Sequence, residues 1–230
     1  MSSKIVLEMN TKAVSYLAQG EHECSHFTLQ KALEGFRNVL NQQPSEEAPM
    51  MLDVDEDEID GTVLHTIPIH AAQHKTVAPD HSFVTVYRHA FVLTSDQEPL
   101  FTENEHTVPS VLLYNMGLSH HIQAIATGQS AIFRKAMQLY TMSFTMLENA
   151  SDILNDMDIM VLLALSNNMS VISGSEFYDR PSAESSRLMM ERILSSTDCL
   201  ESLEDEDIEF FSLNLMFLSE YQKHALAAAA

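Results

Sequence analysis

Apolar positions along residues 5–19 (IVLEMNTKAVSYLAQ) fall at Val6, Met9, Ala13, Tyr16 and Leu17, the spacing of one helix face. Gly20 follows, placed as a glycine that closes a helix. A second helical run, from about His22 to Asn41, carries the stripe Leu29, Ala32, Leu33, Phe36 and Leu40 and stops before Pro44. The chain is therefore predicted to open with an antiparallel helix pair. From Pro109 onward the helical period returns, at roughly 109–126, 129–149, 156–173, 183–197 and 206–224. Gly128, Gly174, Pro181 and an acidic run over 201–209 separate these segments. Two intervening stretches differ. Residues 63–69 (VLHTIPI) and 83–93 (FVTVYRHAFVL) are β-branched and aromatic with partial alternation, and they are predicted to pair as a hairpin with a long tip.

Composition agrees with a mainly α fold. Gly (6) and Pro (7) are scarce, Trp is absent and Met is abundant at 14. At 230 residues and 45% hydrophobic, the chain can bury a core. The formal net charge of −21 argues against nucleic acid and against an anionic membrane surface, and leaves a basic protein or peptide as the favoured partner. Cys24 and Cys199 form no metal-spaced pair, and read as free or buried thiols of a reducing compartment. The N-terminus MSSKIVLEMN lacks a signal-like apolar run, and no stretch approaches 18 consecutive apolar residues. A cytoplasmic protein is expected, with the nucleus left open.

Candidate chemistry is sparse. Residues 45–62 carry eight acids and no base. Asp53, Asp55 and Asp57 alternate like calcium ligands, but the sixth and twelfth positions of such a loop hold Glu58 and Leu64 instead of Gly and Glu. A solvated acidic loop is the better reading. His70 and His74 would share a helix face, yet no further ligand completes a metal site. No GxSxG, P-loop, GxGxxG or HExxH motif occurs, so an uncharacterised enzyme is the remotest reading and no catalytic residue, metal or cofactor is assigned. Met137, Met142, Met146, Met157 and Met160 read as core filling.

The helix pairs invite a search for repeats. Leu113-x2-Met116-Gly117-x2-His120, followed by Ala136-x3-Tyr140, Ser143 and Phe144, resembles a tetratricopeptide repeat. Met9-x2-Lys12-Ala13-x2-Tyr16 with Ser25, Leu29, Ala32 and Leu33 resembles a second, with Lys12 where an apolar residue is usual. Ser166-x2-Met169-Ser170 with Ser186, Met190 and Ile193 resembles a third. The resemblance implies an α-solenoid-like array in one domain, 1–230. Its parts are helix pairs at 1–44, 109–149 and 150–197, a capping helix at 206–224, and an acidic loop with a β-rich insertion at 45–108 between the first and second pairs. Ala13 to Gly117 spans 104 residues and Gly117 to Ser170 spans 53, against a regular period of about 34.

The resemblance also implies a use. Such arrays hold a peptide or a helix on a concave face, so a non-enzymatic binding scaffold or adaptor is expected. By the repeat's register the groove is lined by Tyr114, Asn115, Leu118, His121, Ile122, Asn168 and Val171, with Asn10 and Tyr16 as equivalents in the first pair. Asn10, Asn115 and Asn168 sit in or beside the first-helix signatures, and Asn214 echoes them. A side-chain amide both donates and accepts, so Asn115 could hold a ligand backbone. His120 and His121 point about 100° apart on a helix and cannot converge on one metal; His120 takes the place of a packing aromatic. Two alternatives stay open: the insert itself fills the groove, or the chain is a structural subunit that docks through its β-rich insertion.

Overall fold

The computed structural model describes residues 2–41, 62–70, 85–95, 105–149, 155–196 and 203–227, with side chains of the last helix described as far as Ser219. Helix α1 (Ser3–Ala18) turns at Gly20 into α2 (His22–Leu40). Gly20 has φ +78°, a backbone region that glycine enters without a Cβ clash. Further on come α3 (Thr107–Thr127), α4 (Ser130–Glu148), α5 (Asp156–Val171), α6 (Arg180–Leu194) and α7 (Asp205–Ala227), with a π-helical turn at Ile172–Glu176 continuing α5. The molecule is thus mainly helical, with one small two-stranded antiparallel sheet among the described residues.

Each helix packs on the next in sequence. The odd-numbered helices also touch one another, α1 with α3, α3 with α5 and α5 with α7, so they form an inner layer. Their sequences fit that place. α2, α4 and α6 bury a single stripe, whereas α3 and α5 are buried on nearly every side. A helix apolar all round has no solvent face to offer. The continuous stretch Asp156–Glu176 is long and apolar enough to cross a membrane, and it is mostly buried within the fold.

The sheet pairs β1 (Thr62–Pro68) with β2 (His89–Ser95), His65 lying opposite Val92. β2 presses Ala90, Phe91, Val92 and Leu93 into the core, against α1 and α3. β1 stays half-exposed, with Val63 and Ile67 outward. The extended run expected over 83–93 pairs as a strand only from His89, and the pairing continues to Ser95. Before His89, helix side chains take the backbone groups of Thr85 and Tyr87, as shown below, while the Arg88 carbonyl accepts from Ile69. Within the methionine stripe, Met160 is buried and Met137, Met146 and Met157 are half-buried, but Met142 is 55% exposed. Two positions beyond the buried Tyr140, Met142 points to the opposite side of α4, which corrects its reading as core. The Asp53, Asp55 and Asp57 loop and His74 lie outside the described residues.

Gly117 sits where α3 crosses α4. A Cβ built there would meet the Tyr140 ring at 2.7 Å and the Ala136 carbonyl oxygen at 3.4 Å. This is the contact that the spacing Gly117 with Ala136-x3-Tyr140 leads one to expect. Tyr140 is fully buried, so its ring has little room to retreat. Gly117→Leu is expected to lower unfolding stability by about 1–3 kcal/mol through overpacking, with Gly117→Ala lowering it less. A denaturant titration checks both; an unchanged midpoint for Gly117→Leu would mean that the helices separate freely at this crossing.

Candidate functional site

The inner layer of helices carries a row of asparagines, and all of them reach one extended segment of the insert. Asn10 is on α1, Asn115 on α3, Asn167 and Asn168 on α5, and Asn214 on α7; all five are buried. On α7, the Asn214 Oδ1 accepts from the Thr85 N–H at 3.2 Å and its Nδ2 donates to the Thr85 carbonyl at 2.7 Å. The Asn168 Oδ1 accepts from the Tyr87 N–H at 2.8 Å, and its Nδ2 donates to the Tyr87 carbonyl at 3.1 Å. Asn115 repeats the pattern on Phe91, accepting from its N–H at 2.9 Å and donating to its carbonyl at 2.7 Å. Asn10 adds a second donor to the Phe91 carbonyl at 3.0 Å, and Asn167 a second to that of Thr85 at 3.1 Å. Between these grips, the Tyr114 hydroxyl donates to the His89 carbonyl at 3.1 Å.

The asparagines also hold one another. Asn115 Nδ2 donates to Asn10 Oδ1 at 2.9 Å, Asn214 Nδ2 to Asn167 Oδ1 at 2.7 Å, and Asn167 Nδ2 to Asn168 Oδ1 at 3.1 Å. A side-chain amide has the donor and acceptor of a peptide group, so each pair acts as one rung of a missing strand. The geometry of β2 explains which residues need rungs. Ile69 N–H donates to the Arg88 carbonyl at 2.7 Å, and with the register of the sheet this directs the backbone groups of Arg88, Ala90 and Val92 to β1. Those of Tyr87, His89 and Phe91 then face the helices. An α-helix has no backbone groups left over along its length to meet them, and side chains must do it.

Side chains of the segment are seated as firmly. Tyr87 is fully buried, its ring 4.8 Å from that of Phe211 and 5.2 Å from that of Phe210, and its hydroxyl donates to Asp207 Oδ1 at 2.8 Å. Burial, reinforced by the charge of Asp207, raises the Tyr87 phenol far above its ordinary range. Phe91 lies 4.7 Å from the Tyr114 ring, and Tyr114 lies 5.7 Å from Tyr140. The Tyr140 hydroxyl accepts from Asn168 Nδ2 at 3.3 Å and stands 3.4 Å from His121 Nδ1.

The residues expected to line a groove can now be placed. Tyr114, Asn115 and Asn168 contact residues 85–91 directly, and Asn10 joins them. Leu118 and Ile122 lie in the core, His121 is buried against Phe133 and Tyr140, and Val171 is half-buried where the π-helical turn begins. Tyr16 is half-buried with Lys12 over its ring, and it takes no part in the row. Of the residues expected to line a groove, Asn10, Tyr114, Asn115 and Asn168 are therefore taken by the chain's own segment. His120 packs by its ring, 4.8 Å from that of His26 on α2. Sequence reading did not single out Asn167, Tyr87, Tyr140 as a hydrogen-bonding group, or Asp207. The SNN sequence at 166–168 was a signal for Asn167, since amides at mid-helix are poor helix formers and call for an outside partner. Among the described residues, no group of three His, Cys, Asp or Glu is placed to hold a metal ion.

Two predictions follow from this geometry. Asn168→Leu leaves the Tyr87 N–H buried and unpaired and its carbonyl with only the Tyr114 hydroxyl at 3.3 Å, and should cost about 1–3 kcal/mol. Amide exchange at Tyr87 should accelerate well beyond that at Val92, whose backbone groups are directed to β1; equal protection at Tyr87 in the variant would show that the amide grip is dispensable. The second concerns acid. Burial pushes His121 down to about 3, with Arg88 nearby adding to the effect. Burial likewise pushes His120 down to about 4, helped by His26 and Lys135. An unfolded histidine titrates near 6.5, so below that pH the unfolded chain binds more protons than the fold. The stability from these residues is present in full above pH 6.5 and is lost as pH falls towards 3. Asp158, raised by burial, acts in the opposite sense at the acid end. His121→Gln should flatten the fall of the denaturant midpoint between pH 6.5 and 4.

Compared with protein-family models, curated proteins and solved structures, the chain matches none, so the reading of this groove rests on its geometry and chemistry alone.

Proposed function

We propose that this protein is a non-enzymatic binding scaffold of tetratricopeptide-like build whose groove is filled by its own insert, and that a protein partner docks on that insert. The observation that carries the reading is the row of amides on residues 85–91. Asn115, Asn168 and Asn214 each engage both backbone groups of one residue, which leaves no rung of the row for an outside chain. The sequential packing of the helices and the Gly117–Tyr140 contact support the repeat-like build. With the groove taken, the helical array serves to hold the hairpin, and the hairpin offers its outer strand. Val63 and Ile67 are 49% and 37% exposed there. Apolar side chains on an open strand favour pairing with another chain.

Site-specific photo-crosslinking in native extract tests this. A crosslinking residue at Val63 or Ile67 is expected to capture a protein, and one at the equally exposed Leu188 of α6 is expected not to. Capture at Leu188 with none at Val63 or Ile67 would move the docking site to the helices and remove the proposal.

A further inference from the structure

The insert offers more than an apolar strand. The hydrogen-bonded pairs of the sheet direct the backbone groups of Val63, His65 and Ile67 to β2, so those of Leu64 and Thr66 face away from it. Among the described residues no strand lies on that edge. A cleft of about 480 Å³ runs beside it. Five consecutive residues of β1, 62–66, line this cleft, so it follows the strand's backbone and not one face of it. Its other wall comes from the start of α5, the start of α7 and the two residues before α7. Met157, Met160 and Leu203 supply apolar surface, and Asp156, Glu204 and Asp207 supply carboxylates. No Lys or Arg lines the cleft, and among the described residues none of the three acids is in an ion pair.

We infer that this edge and cleft take an extended basic segment of a protein partner, which adds to β1 as a third strand and lays a Lys or Arg side chain between the carboxylates. This rests on the reading that a partner docks on the insert, and it names the partner's chemistry. The long stem of such a side chain matches the apolar wall, and its charge matches the acidic rim. Charge also argues against the other occupants. The chain's own residues 45–60, just before β1, hold eight acids and no base, and a second copy brings the same −21 net charge. Both would meet the carboxylates with the wrong sign.

The test uses the full chain, labelled for amide NMR, and two short synthetic peptides, one alternating Lys and Val and the other Glu and Val. The Lys–Val peptide is expected to shift the amides of Leu64, Thr66, Met157 and Leu203 in a saturable way, and the Glu–Val peptide to shift none. The double variant Asp156→Asn, Glu204→Gln should keep its spectrum elsewhere and weaken Lys–Val binding about tenfold, and added salt should weaken the wild type in the same direction. Equal binding of both peptides, no binding, or shifts confined to other surfaces would overturn the inference. So would shifts of Leu64 and Thr66 that follow protein concentration alone, since the edge would then belong to a second copy. Successful crosslinking at Val63 or Ile67 with failure of the Lys–Val peptide would remove the basic segment and leave the docking surface; failure of the crosslinking removes the docking surface itself.

Discussion

Everything distinctive in this structure depends on one pairing, an asparagine side chain set against both backbone groups of an extended residue. β2 enters a helical core, and one of its edges faces helices whose own backbone groups are already bonded internally. Left alone, the buried N–H and C=O groups of Tyr87 and Phe91 would each cost about 1–3 kcal/mol. Asn168 and Asn115 remove that penalty with the geometry of a strand, and Asn10, Asn167 and Asn214 extend the row. Because the amides are also bonded to one another, none can turn without unpairing a neighbour. The row therefore sets the register of the insert on the helices as well as satisfying it.

Aromatic packing completes the same seat. Tyr87, Phe91, Tyr114 and Tyr140 form a continuous layer from α7 across to α4, and each tyrosine hydroxyl in it has a polar contact. Gly117 is part of that layer in a negative sense: only without a side chain there can Tyr140 reach inward to Asn168 and His121. A change at the α3–α4 crossing is thus expected to reach the grip on Tyr87 through Tyr140 and Asn168, a coupling through direct contacts.

The two strands of the hairpin end in different conditions. β2 is paired with β1 on one edge and held on the other at Phe91 by Asn10 and Asn115 and at the His89 carbonyl by Tyr114, and its side chains from Ala90 to Leu93 are buried. Among the described residues β1 pairs with a strand on one edge only, and its apolar side chains Val63 and Ile67 face outward. Five amides thus seat one extended segment, while among the described residues no strand lies on the outer edge of β1, beside an acidic and methionine-lined cleft. This difference between the two strands is the physical basis of the proposal that the helices are the holder and the insert the docking element.

Local pattern determined much of this. The 3.6-residue period located the helices, β-branched alternation located the hairpin, and the spacing of Gly117 with Ala136 and Tyr140 foretold their contact. The recurrence of Asn10, Asn115 and Asn168 in the first helices of the pairs, with Asn214 as an echo in the last helix, was legible too, as was the capacity of an amide to hold a backbone. Which backbone it holds was not. Hydrogen bonds between residues 81 or 129 positions apart leave no periodic trace, and an asparagine reads the same whether its partner is a foreign peptide or Tyr87. The exposure of Met142 escaped for a related reason, since methionine suits both core and surface and only the neighbouring helices decide which side of α4 is covered. The sequence by itself thus determined the elements and the polar groups available for a groove. The tertiary structure alone decided that these amides hold the chain's own segment, because only the folded helices bring five distant asparagines to the backbone of Thr85, Tyr87 and Phe91.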